Sequence, residues 1–317
     1  MDGAGVTVPN KKRETVLVIG ATGRHGGTGS RVVHRLQAAG RVVRALVRSN
    51  DERAQRLRES GVQVVNGDLH DRRTLPSALQ GVASVYVAYP VAAGIVPALL
   101  NLASAMRELD IAPQVVIMGA AAADHASPSS IARAHALSEE MLNELGVPFT
   151  SIRGSAFFYE NALLLHGDTI RSSGGFANRF GDARPAWISG TDAADLCATA
   201  LLDRHTYATV PYLYPPGYER LSQKDIAATI SEETGRDVRY RYLSPEDWGR
   251  DLHTRTDNHA MVSHITSMAA MCENNTTILR KDVDPAALTT ASGRPALSFR
   301  DFVRQHRAQL GAVSTPV

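Results

Sequence analysis

The apolar run Val16, Leu17, Val18, Ile19 leads directly into Gly20, Ala21, Thr22, Gly23, and a further stretch containing Gly26, Gly27 and Gly29 precedes Val32, Val33 and Leu36. A β-branched strand that meets a glycine turn and reopens as an amphipathic helix is the arrangement that holds a dinucleotide diphosphate. Glycine lets the backbone approach the phosphates, and the helix start points unpaired N–H groups and the positive end of its dipole at them. A glycine turn with no ligand is the alternative, and the strand before it and the 3.6-residue periodicity after it weigh against that. Counted from Gly26, Val32 comes too far round to be the first helical contact with the sheet. Counted from Gly29, the apolar residues fall at plus three, plus four and plus seven, so Gly29 is taken as the last fingerprint glycine. The loop after Gly23 is then three residues longer than usual, and a looser diphosphate pocket is expected. Gly20, Thr22, Gly23, Arg24, Gly26 and Gly29 are assigned to the cofactor.

The pattern predicts further strands over residues 42–47, 62–65, 82–88, 115–118 and 149–153. Helices are predicted over 30–39, 51–60, 71–79, 95–109 and 130–145, with Gly40, Gly61 and Gly146 as natural stops. Strict alternation of this kind implies an α/β, doubly wound parallel sheet of the Rossmann type. After Gly154 the alternation dissolves and aromatic residues gather: Phe157, Phe158, Tyr159, Phe176, Phe180 and Trp187. A helix over 221–233, a strand over 238–242 and a helix over 245–252 follow. The expected organisation is a disordered tail at 1–13 and a nucleotide-binding domain at 14–155. Residues 156–317 form mainly a smaller C-terminal substrate lobe, some of whose segments return to the sheet.

A net charge of +2 with dispersed basic residues gives no reason to expect nucleic acid or an anionic membrane as partner. Residues 74–106 carry no charge, yet Gly81, Pro90, Gly94 and Pro97 break them, which fits a buried strand, a loop and a helix better than a membrane span. The polar start reads as a tail and not a signal peptide. Cys197 and Cys272 lack metal-type spacing and suit reduced thiols in a cytoplasmic protein. His253, His259 and His264, beside Asp257, have spacings that give no single helical face, so no metal site is expected and some of them are candidates for the substrate cleft.

The second strand ends in Val47, Arg48, Ser49. An acidic residue there would bind a ribose 2′-hydroxyl and repel a 2′-phosphate, whereas a guanidinium offers paired donors to that phosphate. NADP(H) is therefore favoured over NAD(H), with Arg24 as a second positive charge; a solvent-exposed arginine at a strand end is the alternative. Asp68, with Leu69 after it, stands where an adenine edge could be met or where a turn carboxylate caps the next helix. Ala88 and Tyr89, at the end of the fourth strand, are assigned to the cofactor, and Tyr89 also to the substrate.

At this point the chain resembles the NmrA-like branch of the atypical short-chain dehydrogenases/reductases, and within it the bacterial quinone reductases and triphenylmethane-dye reductases. The likeness spans residues 16–309. It rests on Gly20, Ala21, Thr22, Gly23; on Asn66, Gly67, Asp68; on His135 to Glu139 leading into 146–153; and on Phe157, Phe158, Tyr159, Glu160, Asn161. The wider superfamily protonates carbonyls with Ser, Tyr and Lys. Here Gly119, Ala120 and Ala121 stand at the serine position, and the Tyr/Lys pair falls on Ile131 and His135. The resemblance implies a reductase that positions a nicotinamide against an electron-poor acceptor without a strong acid. His135 is then a contact to the nicotinamide or its ribose, a proton shuttle, or a helix histidine packed on the sheet; Glu139 orients it or lies at the surface. Ser155 and Phe157 meet the nicotinamide. Phe157, Phe158, Tyr159 and Asn161 line a flat pocket for an aromatic substrate.

The leading function is an NADPH-dependent reductase of a quinone or similar flat conjugated aromatic, with a homodimer as a candidate assembly. Two others stay open: a tailoring enzyme on an aromatic polyketide with a vestigial nucleotide, and an NADP(H)-sensing regulator without catalysis.

Overall fold

The computed structural model describes residues 14–23, 27–155, 157–274 and 282–311. Seven parallel strands form the main sheet: β1 (Thr15–Ile19), β2 (Val42–Val47), β3 (Gln63–Asn66), β4 (Val82–Val87), β5 (Gln114–Ala120), β6 (Phe149–Ser155) and β9 (Tyr212–Leu213). Their order is β3-β2-β1-β4-β5-β6-β9, which reverses direction at β1 and opens the crevice between β1 and β4 at the strands' carboxyl ends. Connecting helices are α1 (Thr28–Ala38), α2 (Glu52–Glu59), α3 (Leu75–Leu79), α4 (Ile95–Glu108) and α5 (Ser130–Glu144).

Val16 and Val18 face Val32, Val33 and Leu36 of α1, whereas Leu17 and Ile19 face the opposite core under α3 and α4. That alternation, fully buried on both sides, is why the strands read as continuous β-branched runs. The expected helix at 71–79 divides: residues 72–74 form a 3-10 turn capped by Asp71, and α3 begins at Leu75 with Pro76 in its first turn.

Beyond β6 the chain builds α6 (Asn161–Ser173), β7 (Gly175–Asn178), β8 (Ala186–Trp187), α7 (Gly190–Leu202) and α8 (Arg204–Tyr207). It continues through β10 (Glu219–Arg220), α9 (Gln223–Thr234), β11 (Arg239–Tyr242), α10 (Pro245–Arg255) and α11 (His259–Glu273), ending with α12 (Pro285–Ser292) and α13 (Phe299–Gln305). A second core of Phe157, Tyr159, Phe176, Ile230, Phe299 and Phe302 holds this part together.

Several of its segments serve the sheet. β9 adds the seventh strand, and α7 packs on α1. Asp195 of α7 is fully buried and accepts from Arg31 Nε at 2.7 Å and Arg294 Nε at 2.7 Å, with Arg35 at 3.4 Å. That carboxylate fastens the first helix to both later segments.

Candidate active-site cleft

A single cleft of about 660 Å³ runs from the glycine turn across the ends of β1, β4 and β5 into the later part of the chain. Its floor is set by two close backbone approaches. Gly20 adopts φ +93°, and a Cβ there would lie 2.6 Å from Ala88 O; a Cβ on Gly29 would lie 2.1 Å from Gly20 O. Gly29 therefore does not line the cleft but lets α1 dock on the turn. Gly23 N–H closes the turn on Gly20 O at 2.9 Å. α1 opens on Gly27 with no side-chain cap, so its first N–H groups have no capping acceptor from a side chain. Gly20, Thr22, Gly23 and Thr28 line the cleft here. Arg24 and Gly26, with the rest of the extended loop at 24–26, lie outside the described residues.

Arg48 and Ser49 follow β2 at the rim; Arg48 is exposed and makes no ion pair among the described residues. Arg53, which sequence reasoning missed, lines the same rim together with Asp51. Its guanidinium grips Asp51 at 2.7 Å and reaches Thr22 O at 3.3 Å, tying α2 to the glycine turn. One arginine on a charged helix carries no periodic signal that would single it out. Asp68 and Leu69 line the next stretch. Asp68 Oδ1 accepts His70 N–H at 2.9 Å and so closes its own turn, while Asp71 does the helix capping. Ala88 and Tyr89 follow β4, and the Tyr89 hydroxyl meets His70 Nε2 at 2.7 Å.

His135 is buried on α5 and lines the cleft with Ile131 and Ala120, the positions where tyrosine and serine would stand in the wider superfamily. Gly119 leaves no space for a side chain, because a Cβ would lie 2.1 Å from Ser151 Oγ. The His135 imidazole is pushed down to about 4, first by burial and then by His264 and Arg153 nearby. It is a neutral group at ordinary pH. Glu139 corrects both sequence readings: it neither orients His135 nor lies at the surface. It is buried, accepts the Ser151 hydroxyl and pairs with Arg153, whose Nε lies 3.1 Å from Oε2. One helical turn moves a side chain about 6 Å along the axis, which takes Glu139 from the cleft to the flank of β5 and β6.

Phe157, Phe158 and Asn161 line the cleft, and Ser155 ends β6. Tyr159 does not. The Phe158 bridge to Ile188 turns the next side chain into the second core, where Tyr159 packs on Phe299 and Phe302 and its hydroxyl donates to Glu219 at 2.9 Å. His264 joins the lining, its Nδ1 2.7 Å from Ser129 Oγ, whereas the His253 and His259 rings pair with each other away from it. Among the described residues no three His, Cys, Asp or Glu side chains gather as a metal site, and no helix is long and apolar enough to cross a membrane. Both cysteines are buried and unpaired, and burial pushes the Cys272 thiol up to about 12. Phe176, Phe180 and Trp187, to which the sequence assigns no role beyond aromatic enrichment, line the rear of the same cleft.

The NmrA-like family model matches residues 12–292. The chain is 31% identical over 298 residues to an NAD(P)H azoreductase of Xenophilus azovorans, covering 94% of this chain and 99% of that one. Among solved structures, it is similar to the NADPH-dependent quinone oxidoreductase of Escherichia coli complexed with NADPH (TM-score 0.73, 22% identity, 92% and 99% coverage). It is likewise similar to the triphenylmethane reductase of Citrobacter sp. complexed with NADP(H) (TM-score 0.73, 20% identity, 92% and 99% coverage).

Proposed function

The chain belongs to the NmrA-like family, and from that premise we propose that it is an NADPH-dependent reductase of a quinone or similarly flat conjugated aromatic. The observation that carries this reading is the cleft itself. One end joins an uncapped helix start and a glycine turn to the exposed Arg48; the other is walled by Phe157, Phe176 and Trp187. The residues present fit the nucleotide. The N–H groups of α1 would meet its diphosphate, and Arg48 a 2′-phosphate. When bound, the nucleotide supplies a hydride. The chain's own work is to hold the acceptor flat against that end, exclude water with its aromatic wall and leave the product to take its proton from solvent.

Arg48 tests the cofactor side. Arg48→Ala should weaken NADPH binding about 10–100-fold, the value of a lost charge-assisted contact, while NADH binding changes little. Calorimetry of both nucleotides reads this, and an unchanged preference removes Arg48 from recognition. Steady-state NADPH oxidation with a panel of simple quinones and azo dyes tests the activity itself. Nucleotide binding without any turnover would leave a sensor in its place.

His135 gives a pH test. Its depressed value means that the folded state refuses a proton which the unfolded chain accepts below about 6.5, so stability falls as pH drops from there toward 4. His135→Gln should remove that component of the acid destabilisation. It should also leave the shape of the kcat/KM profile between pH 5 and 8 unaltered, since the ring is neutral throughout. An ionisation in that window that vanishes with the substitution would make His135 the proton donor.

A further inference from the structure

His166 of α6, Asn178 of β7 and Gln223 at the start of α9 are far apart in sequence, yet they meet in the rear wall of the cleft. They are 5%, 1% and 3% exposed. Hydrogen-bond direction identifies their atoms. The Phe180 N–H can only donate, and it meets Asn178 Oδ1 at 3.1 Å. The other arm of that amide is therefore nitrogen, since the reverse assignment would set donor against donor. Asn178 Nδ2 then donates to Gln223 Oε1 at 2.9 Å and to His166 Nε2 at 3.1 Å.

Each bond settles its neighbour. With its oxygen engaged, Gln223 has its Nε2 amide left to donate, and that nitrogen has no partner among the described residues. With Nε2 accepting, the neutral His166 ring carries its proton on Nδ1, a buried donor that also lacks a partner. Burial and then Arg255 push this imidazole down to about 3, so it stays neutral. These three side chains thus offer donors, their acceptor atoms being engaged with one another and with Phe180 N–H. They are set among aromatic rings: His166 stacks on Phe176 at 4.7 Å, and Phe157 meets Trp187 at 5.3 Å and Phe180 at 5.9 Å. Among the described residues, every Asp, Glu, Lys or Arg that lines the cleft lies between residues 48 and 68, at the opposite end.

We propose that this wall is a recognition subsite for a hydrogen-bond acceptor on the substrate, with Gln223 Nε2 as the donor and Asn178 and His166 as positioning residues. The substrate class is a neutral, flat conjugated molecule that carries a carbonyl oxygen or equivalent acceptor at the end remote from the nucleotide. This rests on the reductase reading and narrows it. A cationic ring system would bring a charge with no counter-ion to this end, and a hydrocarbon would leave buried donors unpaired, which is how polar pockets discriminate.

The test uses the full-length protein with NADPH and two naphthoquinones of matched shape, one bearing an acetyl group on the distal ring and the other an isopropenyl group. The acetyl/isopropenyl ratio of kcat/KM is measured in the wild type and in Gln223→Met, and dividing the two ratios cancels the substituents' electronic effects. The wild-type preference should exceed the variant's by about tenfold, the worth of one buried hydrogen bond. Asn178→Asp, which keeps the acceptor for Phe180 N–H but cannot donate to Gln223, should lose the same preference. Ratios within twofold of one another overturn the subsite while turnover of both quinones leaves the reductase reading standing. If neither quinone is turned over, that reading fails, and calorimetric binding of the two compounds to the wild type decides: equal affinities overturn the subsite. Should both variants fail to fold, that same wild-type binding comparison remains.

Discussion

Gly29→Ala is expected to lower the unfolding temperature by roughly 6–12 °C and to weaken NADPH binding at least about tenfold. An added Cβ would lie 2.1 Å from Gly20 O, 2.7 Å from Gly20 C and 3.0 Å from Ala21 Cα, all of them backbone atoms that no rotamer change can move. α1 must lift from the turn, and the turn cannot yield the other way because Gly20 is itself pressed against Ala88. Overpacking of this kind costs about 3 kcal/mol. The loss of affinity follows because the displaced atoms are those that bring the helix start to the cleft. Gly27→Ala is the matched control: its φ of +60° is strained for alanine, but nothing lies within 4 Å of the new methyl, so the cost should be nearer 1 kcal/mol. Thermal unfolding and calorimetry on both variants read the difference. Equal effects would mean that close packing at Gly29 has no special part in building the site.

Arg153→Met should destabilise the protein by about 3–5 kcal/mol at pH 8, and by much less at pH 5. The guanidinium serves a Glu139 carboxylate that is only 1% exposed, and its plane lies 4.4 Å over the Tyr212 ring. Burial already holds the Glu139 carboxyl above the usual range, with Arg153 and Ser151 pulling it back. Without the arginine that opposition weakens and the folded-state value rises further. A carboxyl raised in the folded state retains a proton that the unfolded chain releases, so its contribution to stability is present at low pH and is lost as pH rises. Chemical denaturation at the two pH values measures this. A deficit independent of pH would assign the loss to packing against Tyr212 alone.

The parallel sheet was legible because its central strands β1, β4 and β5 are buried on both faces and helices such as α1 keep one apolar stripe, so period and punctuation in the sequence match the layers. The front of the cleft was legible for the same reason: in a doubly wound sheet the residues just after β1, β2, β3 and β4 fall at one edge wherever the loops go. Gly29 could be read from the register of Val32, Val33 and Leu36. The rear wall could not. His166, Asn178 and Gln223 sit on two helices and a short strand whose mutual placement follows from packing around Phe176, and nothing in their spacing records it. Phe157, Phe158 and Tyr159 show the limit most plainly. All three are buried and aromatic, yet Phe157 and Phe158 border the cleft while Tyr159 packs wholly into the second core, and nothing in their order records the difference.

The attachment of β9 has a bearing on how such a protein can be taken apart. Ser151 N–H bonds Pro211 O at 2.8 Å, the Thr150 hydroxyl bonds Tyr207 O at 2.8 Å, and Arg204 reaches back to Ala83 O at 3.0 Å. Cut after residue 155, the first part would present β6 as a bare sheet edge and strip α7 from the outer face of α1, both invitations to aggregate. The parts of the chain before and after residue 155 are therefore not exchangeable modules. A different second part grafted onto this sheet would have to bring its own seventh strand and its own buried carboxylate for Arg31 and Arg35.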